Sequence, residues 1–231
     1  MSQLKGKIVF ITGGASGIGR SVSDLLITEG AKVFNFSRSS LLPPMNGRVV
    51  NFSGDIGKEE DVKNAFMLCK DQLGEVDILI NNAGLGVPTP ELSEASIEDY
   101  EQMVNTNMRG VFLCNREALK HMIPHGAGHI ITVVSMAGQR TNPNAPLYCA
   151  SKFGARGLSS GLADQVIKKG IKVTEVNPGP VDTAYWGDRQ VPREKFLKPE
   201  DVAKVILFVM TQPDYLVIRE INFDNMKFLI G

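Results

Sequence analysis

Cysteine is scarce in this 231-residue chain, and the three present, Cys69, Cys114 and Cys149, are far apart with no Cys-x-x-Cys pair. An odd, scattered set argues against a disulfide framework and reads as reduced thiols in an intracellular protein. Only three histidines occur, His121, His125 and His129, and Pro124, Gly126 and Gly128 are expected to break any helix that would align them. No metal site is read from them. Excess charge of either sign is missing too. With 25 basic and 25 acidic residues the net charge is zero, and no run of Lys and Arg offers a face for nucleic acid or anionic lipid. No apolar stretch approaches the roughly 20 residues that span a bilayer. The opening Met1-Ser-Gln-Leu-Lys-Gly-Lys7 runs into a short apolar strand without a signal-type segment, so a soluble cytoplasmic protein is expected.

What the chain does contain is a regular alternation of short apolar runs and helical patterns along its whole length. Lys7–Thr12 reads as a strand, followed by Gly13-Gly-Ala-Ser16-Gly17-Ile18-Gly19 and a helical pattern ending near Gly30. Glycines in such a strand–turn–helix unit let the backbone approach a pyrophosphate, which the N–H groups at the helix start then meet. A second strand, Lys32–Ser37, ends in Arg38. A hydroxyl and a guanidinium there suit a 2′-phosphate, where an acidic residue would bind both ribose hydroxyls, so NADP is favoured over NAD. The link onward holds Pro43-Pro44 and is too short for a full helix before a strand at Arg48–Phe52.

Further along, a helix is expected at about 58–73, a strand at Val76–Ile80 and a helical region at about 97–122. That last region is interrupted by Asn105-Thr-Asn107-Met-Arg-Gly110, poor mid-helix residues of the kind that mark sites. Strands at His129–Val134 and Ile171–Val176 flank a helix at about 146–168, and a helix at about 199–210 precedes a final strand at about 216–221. The pattern predicts an α/β fold, a single-domain Rossmann-type doubly wound parallel sheet of about seven strands. Strand ends would then gather Gly13, Asp55, Asn82 and Ser135 at one sheet edge, where such folds bind ligands. Tyr148 and Lys152, four apart, share a helix face beside Ser135. The spacing alone also fits a solvated helix face.

Thr12-Gly13-x-x-x-Gly17-x-Gly19, Asn81-Asn82-Ala83-Gly84, Asn107, Ser135, Tyr148-x-x-x-Lys152 and Pro178-Gly179, taken in order, resemble the short-chain dehydrogenase/reductase family over essentially the full chain. The resemblance implies a hydride transfer between nicotinamide and a small carbonyl or alcohol, with Tyr148 as general acid/base. Ser135 would hold the substrate oxygen, Lys152 the nicotinamide ribose while lowering the proton affinity of Tyr148, and Asn107 a water on the proton path. It also implies cofactor contacts from Gly13, Ser16, Gly17, Ile18, Gly19, Ser37, Arg38, Asp55, Ile56, Asn82, Ala83, Gly84, Tyr148, Lys152, Pro178, Gly179, Val181 and Thr183. By the same analogy a homodimer or homotetramer would form through the helices of the fourth and fifth crossovers. The family carries its substrate lid where this chain has only the brief segment at about 184–198, which suggests a small or exposed substrate, with Arg140, Arg189 and Arg193 as candidate carboxylate anchors. The rival reading is a non-catalytic NADP-sensing or interaction protein on the same fold.

Overall fold

A computed structural model describes residues 3–38, 41–43, 47–89 and 91–230. Its seven strands are β1 (Ile8–Thr12), β2 (Lys32–Ser37), β3 (Val49–Ser53), β4 (Ile78–Asn81), β5 (Gly128–Val133), β6 (Ile171–Pro178) and β7 (Glu220–Phe223). They form one all-parallel sheet in the order β3-β2-β1-β4-β5-β6-β7. The order turns back between β1 and β4, and the crevice outside the strand ends at that point is where open α/β sheets take their ligands.

The helices are α1 (Gly17–Thr28), α2 (Glu59–Gln72), α3 (Ile97–Val104), α4 (Gly110–His125), α5 (Pro146–Val166), α6 (Pro199–Met210) and α7 (Met226–Leu229). Central strands such as Ile8–Thr12 are apolar at nearly every position because helices cover both faces of the sheet. One face packs Val9, Ile11, Ile78 and Ile80 against α1 and α6 through Val22, Leu26, Val202 and Ile206. The other packs Phe10, Phe34, Leu79 and Ile130 against α2, α4 and α5 through Phe66, Leu113, Ala118 and Leu162. Phe10 stacks on both Phe34 and Phe66, with ring centroids 4.8 and 4.1 Å apart.

Two sequence expectations are corrected. The last strand is Glu220–Phe223 rather than about 216–221. Leu216, Val217 and Ile218 look strand-like but pass along the sheet edge, where Ile218 O accepts the Thr174 hydroxyl, and continuous pairing with β6 begins at Glu175↔Glu220. Pro124 does not stop α4, which runs through it to His125 and ends at Gly126, φ 59°. Pro124 deprives the last turn of one N–H donor without ending the helix, and the left-handed glycine supplies the stop. The helical region expected at about 97–122, with its interruption at Asn105–Gly110, is two α-helices joined by a π-helical turn, Asn105–Arg109. No helix lies between β2 and β3 among the described residues; Pro44, part of that link, lies outside them.

Candidate active site

The π-helical turn wraps the Asn107 side chain inward, where it is 1% exposed. Its Nδ2 donates to Leu85 O at 2.8 Å and to Ser151 Oγ at 2.9 Å, and its Oδ1 accepts from Leu85 N at 3.0 Å. Ser151 Oγ donates in turn to Tyr148 O. Asn107 therefore ties the loop after β4 to the first turns of α5. A methyl group added to Gly84 would lie 3.3 Å from both Asn107 Oδ1 and Lys152 Nζ, so these groups crowd one spot over the loop backbone.

Ser135, just beyond β5, has φ 150° and ψ 159° and is the one non-glycine residue at positive φ among the described residues. Such a backbone costs on the order of 1–3 kcal/mol and persists only where its surroundings hold it. Here Gly138 N donates to Ser135 O and Ala137 N to Ser135 Oγ, closing a single 3₁₀ turn over Met136–Gly138. The turn aims the serine across to α5.

That helix begins at Pro146, whose absent N–H is no loss in a first turn. Tyr148 and Lys152 follow on its inner face. Lys152 is 7% exposed, donates to Val133 O at 3.2 Å and holds Nζ 5.8 Å from the Tyr148 ring centroid. Burial drives the ammonium down to about 8. Tyr148 is half-buried, and burial of its hydroxyl pushes the phenol well above its usual value. The neighbouring Tyr185 pushes it the same way, while a hydrogen bond from Ser135 opposes. Lys152, expected from the sequence to lower Tyr148, is not among these leading influences, because its ammonium turns to the Val133 carbonyl.

At the other end of the crevice the glycine turn is locked by its neighbours. Thr12 Oγ1 accepts from Asn82 N and Ala83 N, each at 3.0 Å, and Asn82 Nδ2 donates to the carbonyls of Thr12 and Gly13. Gly13 has φ 66°, and a Cβ on Gly19 would lie 2.1 Å from Gly13 O, so α1 packs against the turn only because that residue is glycine. Ser16, at the N-cap of α1, makes no side-chain cap bond, and the first turn, Gly17-Ile18-Gly19, holds no acidic residue. Thr183 closes over Gly17, with its methyl group 3.3 Å from where a Cβ would stand.

Other predicted contacts are brought to the same edge with their polar groups already engaged. Ser37 Oγ donates to Asn35 Oδ1 at 2.7 Å, whereas Arg38 is exposed beside it. Asp55 Oδ1 accepts from Gly57 N, and Ile56 is buried against Gly110. Pro178 ends β6, Gly179 packs against Asp224, and Val181 bridges to Leu197. The three arginines read as anchors have protein partners. Arg140 lies 3.6 Å from Asp224, Arg193 Nη1 donates to Asp182 at 3.2 Å, and Arg189 packs over the rings of Tyr185 and Trp186 at 4.7 and 5.0 Å.

Sequence reading missed three participants: Thr12 as the acceptor bracing Asn82, Ser151 as the partner of Asn107, and Tyr185 as the neighbour of Tyr148. A serine just before Lys152 and a tyrosine in the lid were visible, but nothing in their spacing gives the contact.

Residues 7–193 match the short chain dehydrogenase family. An uncharacterized oxidoreductase of Staphylococcus saprophyticus is 30% identical over 231 residues, covering 96% of this chain and 98% of that protein. Another from Staphylococcus aureus strain MRSA252 is 30% identical over 228 residues with the same coverage. Among solved structures, 3-ketoacyl-(acyl-carrier-protein) reductase from Brucella melitensis, complexed with NADH, superposes with a TM-score of 0.90 at 28% identity, over 97% of this chain and 99% of that one. Alcohol dehydrogenase from the archaeon Thermococcus sibiricus, complexed with 5-hydroxy-NADP, does so with a TM-score of 0.85 at 25% identity, over 96% and 97%. The chain belongs to the short chain dehydrogenase family and is an NAD(P)-dependent oxidoreductase of it.

Proposed function

We propose that this oxidoreductase interconverts a small carbonyl compound and its alcohol with NADP, using Tyr148 as general acid/base. The observation that carries the reading is the convergence of a strained Ser135, Tyr148 and a buried Lys152 at one strand end. A non-catalytic nucleotide sensor has no use for a serine held at a conformational cost, nor for an ammonium buried beside a phenol.

The residues fit a dinucleotide. The uncapped first turn of α1, free of acidic side chains, offers N–H groups to a pyrophosphate, and Gly13, Gly17 and Gly19 keep side chains out of its way. Ser16 and Ile18 line the same turn; Asp55, Ile56, Asn82, Ala83 and Gly84 form the adenosine side, and Pro178, Gly179, Val181 and Thr183 the nicotinamide end. Arg38, exposed at the end of β2, is the group for a 2′-phosphate. Nicotinamide supplies or accepts the hydride. Ser135 holds the reacting oxygen, Tyr148 delivers the proton to it or removes it, and Lys152 holds the ribose and keeps positive charge beside the phenol. Asn107 fixes the loop over which Lys152 sits, with one Oδ1 lone pair left for a water on the proton path.

The protein is proposed to act in the cytoplasm as a homodimer or homotetramer through α4 and α5. No helix among the described residues is long and apolar enough to cross a membrane. NADPH oxidation over a panel of small ketones, 3-oxoacyl thioesters and sugars tests the function. Wild type is expected to reduce at least one of them, and Tyr148→Phe to lose at least a thousandfold in kcat while binding NADPH as before. Tight NADPH binding with silence across the panel would instead favour the sensor.

A further inference from the structure

Residues 184–187 carry Tyr185 directly over the phenol that would do the chemistry. The two rings lie 5.8 Å apart at 48°, and the hydroxyls interact. Tyr185 Oη fills the space over Gly86: a Cβ on that glycine would stand 2.1 Å from it and 2.9 Å from Tyr148 Cδ2. The contact favours the protonated form of the Tyr148 phenol and works the other way on Tyr185. Ser135 acts on Tyr148 with the opposite sign. The phenol thus already has a second hydroxyl for a neighbour. In reduction that place has to go to the substrate oxygen.

We propose that Tyr185 is a gate: its hydroxyl occupies the position of the substrate oxygen in the resting enzyme, and a substrate reacts only after displacing it. This rests on the proposed role of Tyr148. The segment is built to hold that position and to release it. Tyr185 N donates to Thr183 Oγ1 at 3.3 Å, Arg189 Nε donates to Trp186 O at 2.8 Å, and Arg189 Nη2 donates to Tyr185 O. The guanidinium also lies over both rings, a cation–π latch across the turn. Trp186 Nε1 donates to Val181 O at 2.8 Å, and its ring packs 4.9 Å from Phe196. Directly after this turn comes Gly187 at φ 52° and ψ −132°, which only glycine adopts readily and which gives the segment a pivot. The gate also accounts for specificity, since the substrate must hydrogen-bond Tyr148 better than a tethered phenol already does.

Trp186 is the chain's single tryptophan, so its fluorescence reads the gate directly. Tyr185→Phe removes the bond to Tyr148 and keeps the ring. Its acrylamide quenching constant is expected to rise at least twofold over wild type, because the turn opens more often. For any carbonyl the enzyme reduces, KM should fall at least threefold. Unchanged quenching overturns the gate, and so does a KM that stays level or rises. If neither protein reduces any carbonyl, the function reading fails by itself and the quenching comparison still decides the gate.

Discussion

Lys152 has the most sharply set chemistry of any side chain in the site. Burial holds it near 8, so it is charged below that pH and neutral above it, while the phenol of Tyr148 stays protonated throughout the neutral range. Reduction needs the proton on Tyr148 and the charge on Lys152 together. Reductive kcat/KM is therefore expected to hold level below pH about 8 and to fall about tenfold per pH unit above it; a pH–rate profile checks this, and a profile flat through pH 9 refutes the assignment. Arg38 carries a second prediction at this scale. Ser37 has turned its proton to Asn35, which leaves the exposed guanidinium as the polar group at the end of β2 suited to a 2′-phosphate. Charge-assisted hydrogen bonds contribute roughly 1.5–3 kcal/mol, so Arg38→Asp should raise the NADPH Kd by at least tenfold and leave NADH within about twofold. Equal weakening of both cofactors in a fluorescence titration would remove Arg38 from the phosphate site. The residues that announce chemistry by type and order, Ser135, Tyr148 and Lys152, were legible in the sequence. The engagement of Ser37 with Asn35 was not, because it depends on which rotamer a buried neighbour leaves open.

Elements show the same division. The cluster Asn105–Gly110 broke the helical rule in the sequence, and the structure answers with a π-helical turn that turns Asn107 inward. The break was readable; its geometry was not, since one extra residue in a turn leaves no mark on composition. His129 shows an element constraint that sequence reading passed over. It pairs in register with Lys172 between β5 and β6, is 6% exposed, and shares a 2.9 Å hydrogen bond with Thr174 Oγ1, which itself donates to Ile218 O. The imidazole must then be the donor at Nε2, and burial pushes its pKa from 6.5 to about 3. A depressed folded value means the unfolded chain takes up the proton first. Stability from this group is full above pH 6.5 and is lost as pH falls toward 3. At 1.36 kcal/mol per pKa unit the loss between pH 7 and pH 4 is about 3 kcal/mol. Urea unfolding at the two pH values should show His129→Leu losing less than wild type by about that amount; equal losses would mean that other groups carry the acid sensitivity.

The whole molecule follows from the strand order. An all-parallel sheet covered on both faces forces near-continuous apolar strands, and those runs made the architecture legible before any contact was known. The last strand was misplaced because an edge is only half-constrained: Leu216, Val217 and Ile218 have the residue types of a strand, and only pairing distinguishes them from Glu220–Phe223. Assembly is the level at which sequence says least and surface chemistry says more. Phe112 on α4 is 46% exposed and Phe153 on α5 is 40% exposed, on the two helices proposed to meet a second copy. Aromatic side chains left in water on adjacent crossover helices are what an isologous helix-face interface would bury, and such interfaces are more apolar than ordinary surface. Placing a carboxylate at each position desolvates charge in that contact, a cost of several kcal/mol per unpaired ion. Light scattering behind size exclusion should give a dimer or tetramer mass for the wild-type protein and a monomer mass for Phe112→Glu/Phe153→Glu at the same concentration. A monomeric wild type, or a double variant that keeps the wild-type mass, would show that α4 and α5 are not the interface. The Trp186 fluorescence of the variant separates dissociation from unfolding, since a folded monomer keeps the indole packed on Phe196.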